Sequence, residues 1–205
     1  MRKLALPLTL LCFCSGLLFS QSQTRIKLLP DEEKYAMIGL VGGFFFLQDA
    51  TFQELYAKSA PFSGAELALR FPFQDPHGLY IGLSGQLLRM TGQTSYTEEE
   101  LKLRLINLSL SLCYSYDSGT FGFFVGPGVE HAIYKEQYAE TFPIESQSGS
   151  ETGLHFTGGV GYHLTSALSL KAYFKYVNVA TEAPGFRVNL GGTQWGLGIS
   201  YRFYL

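Results

Sequence analysis

The side chains best suited to proton transfer or metal binding near neutral pH are four histidines: His77, His131, His155 and His163. His155 and His163 share one face of an alternating stretch. Eight positions separate them, roughly 26 Å along an extended strand, which is too far to share one metal ion. No His–Cys cluster and no HExxH spacing accompanies them, so no metal site is expected. His155 follows Ser146, Ser148 and Glu151. Serine, histidine and a carboxylate form the set that acyl transfer uses as nucleophile, general base and orienting anion. The competing reading is a histidine hydrogen-bonded to neighbours on its own face. No nucleophile elbow or glycine-rich phosphate loop supports another enzyme class. The glycine pairs at 42–43, 158–159 and 191–192 sit in or beside strands, where they relieve crowding. No catalytic residue and no cofactor is expected.

Charges form the second candidate set. Glu66, Arg70, Glu130, Lys171, Lys175 and Arg202 all take the polar face that carries His155. Glu130, His155 and Lys175 lie on consecutive strands toward one end, where a cross-strand network can form. Arg70, Lys171 and Arg202 lie toward the other end, with no acid on the polar face at matching height. That surplus of cations implies water, an anion or an acidic group supplied by a nearby turn. Two roles follow. One is an interior plug of charges that keeps the structure rigid. The other is a narrow pore, since rings of basic side chains favour anions.

These residues are positioned by strands. A period of two recurs along eight stretches, at about 34–47, 63–73, 79–91, 101–116, 120–134, 152–164, 168–179 and 193–205. The cleanest is the fourth, where Ile106, Leu108, Leu110, Leu112, Tyr114 and Tyr116 oppose Asn107, Ser109, Ser111, Cys113 and Ser115. His131 falls on the apolar face by strict parity, where an ionisable group is costly. It is expected at an interface, or beside a bulge that resets the alternation.

Composition agrees with a β protein. Gly accounts for 23 of 205 residues and charged residues for 16%, against typical shares of about 7% and 25%. A charge-rich disordered chain is excluded. A net charge of −2 disfavours a nucleic-acid partner. Residues 1–22 have the layout of a cleaved secretory leader: basic Arg2 and Lys3, an apolar run from Leu4 to Phe19, then small residues at Ser20 and Ser22. The segment 23–33 is expected to lie in the periplasm, ahead of a barrel domain over 34–205. Cys113 is the cysteine left after the leader, so no internal disulfide can form.

Connections alternate in length. Those at 74–78, 117–119 and 165–167 are short; those at 48–62, 92–100, 135–151 and 180–192 are long. An up-and-down barrel of a bacterial outer membrane has this asymmetry, with short periplasmic turns and long external loops. Strands of about 11–13 residues suit a tilted crossing. Aromatics gather near the short turns, among them Phe71, Phe73, Tyr114, Tyr116, Phe121, Phe123 and Tyr162, as in an interfacial girdle. The apolar face is therefore expected to meet lipid. In the first long loop Phe52, Leu55 and Tyr56 predict one helical turn packed over the rim. The loop 135–151 is acidic and aromatic.

The final run, Gly196 to Leu205, resembles the terminal-strand signal of bacterial outer-membrane β-barrels, with Tyr201, Phe203 and Leu205 at alternate positions. The mature chain resembles the small eight-stranded antiparallel barrels of the OmpA and OmpX type. That resemblance implies outer-membrane lipid and the barrel-assembly machinery as partners. It also implies a structural and surface-interactive role, with a host or surface ligand held by the long loops over a plugged or narrow lumen. A small pore for ions or apolar solutes, a lipid-A-modifying enzyme and a soluble ligand-binding barrel are the alternatives.

Overall fold

The computed structural model describes residues 34–74, 76–93, 99–138, 146–183 and 186–205; the leader and the segment 23–33 lie outside them. Eight long strands form a closed antiparallel barrel. They are β1 (Tyr35–Leu47), β2 (Ser59–Gln74), β3 (His77–Gln93), β4 (Glu100–Asp117), β5 (Phe121–Tyr138), β6 (Gln147–His163), β7 (Leu168–Asn178) and β10 (Gly192–Tyr204). Each pairs with its neighbour in the chain, and β10 returns to β1 in unbroken register from Tyr35↔Tyr204 to Leu47↔Gly192. Closure leaves no open strand edge, which a chain in lipid requires because no water is there to satisfy free backbone groups. A small hairpin, β8 (Ala180–Ala183) and β9 (Phe186–Asn189), fills the last long connection.

Exposure places the apolar face outward. Leu40, Leu83, Leu110, Val160 and Leu197 are between 53% and 69% exposed, and comparable side chains surround them on every strand. In water such a belt would far exceed the apolar patches that monomers tolerate; in a bilayer it is solvated. At the short-turn end the aromatics pair outside the wall, Tyr116 with Phe123 at 5.2 Å and Phe121 with Tyr162 at 5.0 Å between centroids. The turn between β4 and β5 places Gly119 at φ 85°, a left-handed conformation suited to glycine. Its N–H donates to Asp117 Oδ1 at 3.1 Å.

At the opposite end the pattern inverts. Leu101, Leu103 and Leu105 keep the inward parity of Ser109 and Ser115, but here the inward face is apolar and buried. Lys102 and Arg104 between them point outward. Leu88, Met90, Phe45, Phe62, Val177 and Val179 are among the residues that join them in this inner cluster. The strands thus continue past the lipid, and where water surrounds the wall the barrel takes the arrangement of a soluble one. This explains why β2 to β6 run beyond the ends expected for them, since an alternation followed from mid-strand loses its apolar side at the water boundary.

The predicted helical turn is present as α1 (Ala50–Leu55). Asp49 caps it, its Oδ1 accepting from Phe52 N at 3.3 Å. Phe52 and Leu55 pack against the inner cluster, and Tyr56 is buried in it. The second Asp49 carboxylate oxygen accepts from Asn189 N at 3.1 Å, tying α1 to the end of β9.

Candidate functional site

The lumen holds three polar layers below the apolar cap. Nearest the short turns, Asp117 closes β4. Tyr35 donates to its Oδ2 at 3.1 Å, His163 Nε2 lies 3.1 Å from its Oδ1, and Arg202 Nη1 lies 3.6 Å from Oδ2. Arg70 donates to the Pro76 carbonyl at 2.8 Å and to Ser115 Oγ at 3.3 Å. Both guanidinium groups face the Tyr35 ring, at 4.7 Å for Arg202 and 5.7 Å for Arg70, within the range of cation–π attraction.

The middle layer joins opposite walls. Lys171 on β7 forms an ion pair with Glu66 on β2, and its ammonium lies 5.1 Å from the Tyr173 ring centre and 5.7 Å from that of Phe124. Tyr80 stacks on Phe124 at 5.3 Å. The sequence expectation of basic side chains without an acid at matching height is therefore corrected. Lys171 has Glu66, which sits closer in height than strand positions suggested. Arg202 has Asp117, an acid at the turn, as one of the anticipated alternatives required.

The external layer brings Glu130, His155 and Lys175 together. Lys175 Nζ donates to both Glu130 oxygens at 3.1 Å and reaches Ser109 Oγ at 3.4 Å and Gln86 Oε1 at 3.5 Å. His155 Nδ1 lies 3.2 Å from Glu130 Oε2, and its Nε2 lies 2.9 Å from Ser111 Oγ. Gly128 makes room for the ring: a Cβ there would stand 2.3 Å from His155 Cε1 and Nε2. Gln86 also donates to Tyr173 OH at 3.2 Å.

Ser111, His155 and Glu130 thus stand in the order of a serine-hydrolase relay, with partners other than those the sequence pointed to, but His155 Nδ1 makes no hydrogen bond across its 3.2 Å contact with Glu130. Ser148 pairs in register with Lys135, and Glu151 with Ala132, whereas His155 stands opposite Gly128. Residues preceding His155 in the chain are carried up its own strand and away from it; its partners arrive from β4 and β5. A relay acts only on a substrate that reaches the serine. Here Glu130 and His155 are buried, and the cavity lined by Ser111, Ser109, Lys175 and Tyr173 is about 40 Å³, room for one or two waters. A second cavity of about 50 Å³ adjoins Arg70, Asp117 and Arg202.

Above these layers Tyr56 donates to Glu136 Oε1, and Tyr138 donates to Glu136 Oε2 at 2.9 Å. Burial, and then the bond to the Glu136 carboxylate, hold the Tyr56 phenol well above its ordinary titration range. His131 keeps strict outward parity with no bulge, and its Nδ1 lies 2.9 Å from Thr152 Oγ1 on the neighbouring strand. Tyr201, Phe203 and Leu205 are exposed on the outer wall, the apolar side of the strand that closes the barrel.

The model of the outer membrane protein beta-barrel domain family matches residues 12–203. No curated protein sequence matches the chain. Among solved structures, Ail of Yersinia pestis, crystallised with the heparin analogue sucrose octasulfate, is similar with a TM-score of 0.55 at 17% identity, over 84% of this chain and 99% of that one. OprG of Pseudomonas aeruginosa gives 0.55 at 13% identity, over 84% and 97%. The Neisserial surface protein A gives 0.53 at 14% identity, over 82% and 97%. At these identities the likeness is one of fold.

Proposed function

The chain belongs to the outer membrane protein beta-barrel family, and from that premise we propose that it is a closed barrel of the bacterial outer membrane whose work is done at its external surface. The observation that carries this reading is the filled lumen. Three cross-wall polar layers are capped by the apolar cluster of Phe45, Leu88, Leu101, Leu103 and Val177. A conduit requires a continuous wet path, and the interior cavities of about 40 and 50 Å³ have room only for a few waters. The rigid wall instead carries α1, the β8–β9 hairpin and the long strand extensions into the external medium. Ail, a barrel of this fold, has been crystallised with a sulfated sugar, which supports external ligand binding as a use for such a wall. The leader 1–22 is removed on export in this account, the segment 23–33 stays in the periplasm, and Tyr201, Phe203 and Leu205 engage the assembly machinery.

The test is adhesion. Cells displaying the protein are layered on immobilised matrix proteins and sulfated glycans, beside cells displaying a variant with 48–58 and 139–146 replaced by short Gly-Ser linkers. Loss of adhesion by a variant that still shows a heat-modifiable band supports the reading. Equal adhesion by both, or none by the native protein, contradicts it.

A further inference from the structure

Arg89, Arg104 and Lys135 stand in one row across β3, β4 and β5. Arg89 is opposite Arg104, and Arg104 is opposite Lys135. All three project outward and are exposed. Side chains directly opposite on antiparallel strands lie about 5 Å apart, and like charges there repel. Among the described residues none of the three pairs with a carboxylate. Glu100, an outward acid farther along β4, is engaged by Lys102 at 3.2 Å. Among the described residues, then, no carboxylate neutralises the row, and its three like charges repel one another.

Its position selects the anion. Each cation stands two residues beyond the last apolar outward residue of its strand: Leu87, Ile106 and Ile133. Below these lie Leu83, Leu108, Leu110 and Val129, all strongly exposed to lipid. The row thus marks the upper edge of the apolar belt, at the headgroups of the external leaflet, and it faces sideways along the membrane. Two guanidinium forks suit phosphate, which they bind bidentately, and a lysine adds a point charge. We propose that Arg89, Arg104 and Lys135 form a binding site for the phosphate groups of an anionic glycolipid of the outer leaflet, with its acyl chains against the apolar wall beneath. A soluble polyanion would meet the same charges, but it would forgo the apolar contacts directly below them.

The experiment uses the folded protein in detergent and native mass spectrometry with two probes: bis-phosphorylated lipid A and the same lipid with its phosphates removed. The phosphorylated form is expected to bind at least about tenfold more tightly, because basic side chains at a membrane surface attract anionic headgroups. The triple variant R89Q/R104Q/K135Q is expected to lose that preference while keeping its heat-modifiable band. The single variant Arg104→Gln, at the centre of the row, is expected to lose part of it. Equal binding of the two lipids by the native protein overturns the proposal without recourse to any variant. So does a phosphate preference that survives in the folded triple variant. Preferential capture of a heparin fragment with no discrimination between the lipids would assign the row to soluble polyanions and also overturn it.

Discussion

Lys175 on β7 donates to both carboxylate oxygens of Glu130 on β5 at 3.1 Å, across the width of β6. The pair is buried; Lys175 also reaches Ser109 and Gln86, and His155 Nδ1 lies 3.2 Å from Glu130 Oε2. Removal of one partner leaves the other charged and enclosed, which costs about 3–5 kcal/mol. Lys175→Met and Glu130→Leu alone are each expected to lower unfolding free energy by that order. The double variant is expected to recover most of it. Urea titration of the refolded barrel in bilayers measures all three, and additive losses in the double variant would show that the two residues are not coupled.

Gly128 sets the place of His155. A methyl group at 128 would meet the imidazole at 2.3 Å and the Leu110 carbonyl at 2.4 Å. Gly128→Ala is expected to destabilise by about 1–3 kcal/mol through overpacking. Gly85, whose added Cβ would meet only Leu108 at 3.5 Å, is the control. Gly85→Ala is expected to be neutral or slightly stabilising, because alanine loses less backbone freedom on folding. Equal effects of the two substitutions in the same titration would contradict the packing assignment.

Tyr56 makes the docking of α1 depend on alkaline pH. Its phenol titrates higher when docked than when released, because burial and the Glu136 carboxylate disfavour the phenolate. Below pH about 10 both forms are protonated and the contribution is complete. It is lost as pH rises from there toward the docked value. Limited proteolysis of the segment 48–58 is therefore expected to accelerate above pH 10 in the native protein. Tyr56→Phe is expected to be cleaved faster at neutral pH, by the loss of a bond worth about 1.5–3 kcal/mol, with a flatter pH profile. Identical profiles would remove Tyr56 from the account.

The Ser111–His155–Glu130 relay is expected to be structural. Lipid A incubated with native protein and with Ser111→Ala should keep the same mass. A loss of acyl chains seen with the native protein and absent with the variant would establish a hydrolase and an access route to Ser111 that the filled lumen denies.

Much of this architecture was legible in the chain. Alternation from Ile106 to Tyr116, the strict succession of long and short connections, and the spacing of Phe52, Leu55 and Tyr56 led to the barrel and to α1. Each rests on contacts local in sequence or on a repeated period. Two features were hidden for a physical reason. Glu66 and Lys171 meet across the lumen from strands 105 residues apart, and such radial neighbours depend on barrel tilt and stagger, which alternation does not encode. The extensions at Ser59–Phe62, Lys135–Tyr138 and Gln147–Glu151 were hidden inside the long connections because the wall's apolar side changes from outward to inward where lipid gives way to water. Ser111 belonged to the polar face from the outset, but only the juxtaposition of β4, β5 and β6 brings it to His155.

The central claim is that the lumen is closed. Single-channel recording of residues 23–205, refolded and inserted in a planar bilayer, tests it most directly. Absence of discrete conductance, from protein whose unboiled band shifts on heating, is the result this account predicts. Regular current steps from the same protein would contradict it. An anion preference in those steps that disappeared on replacement of Lys171 or Arg202 would show that the paired cations line an open path.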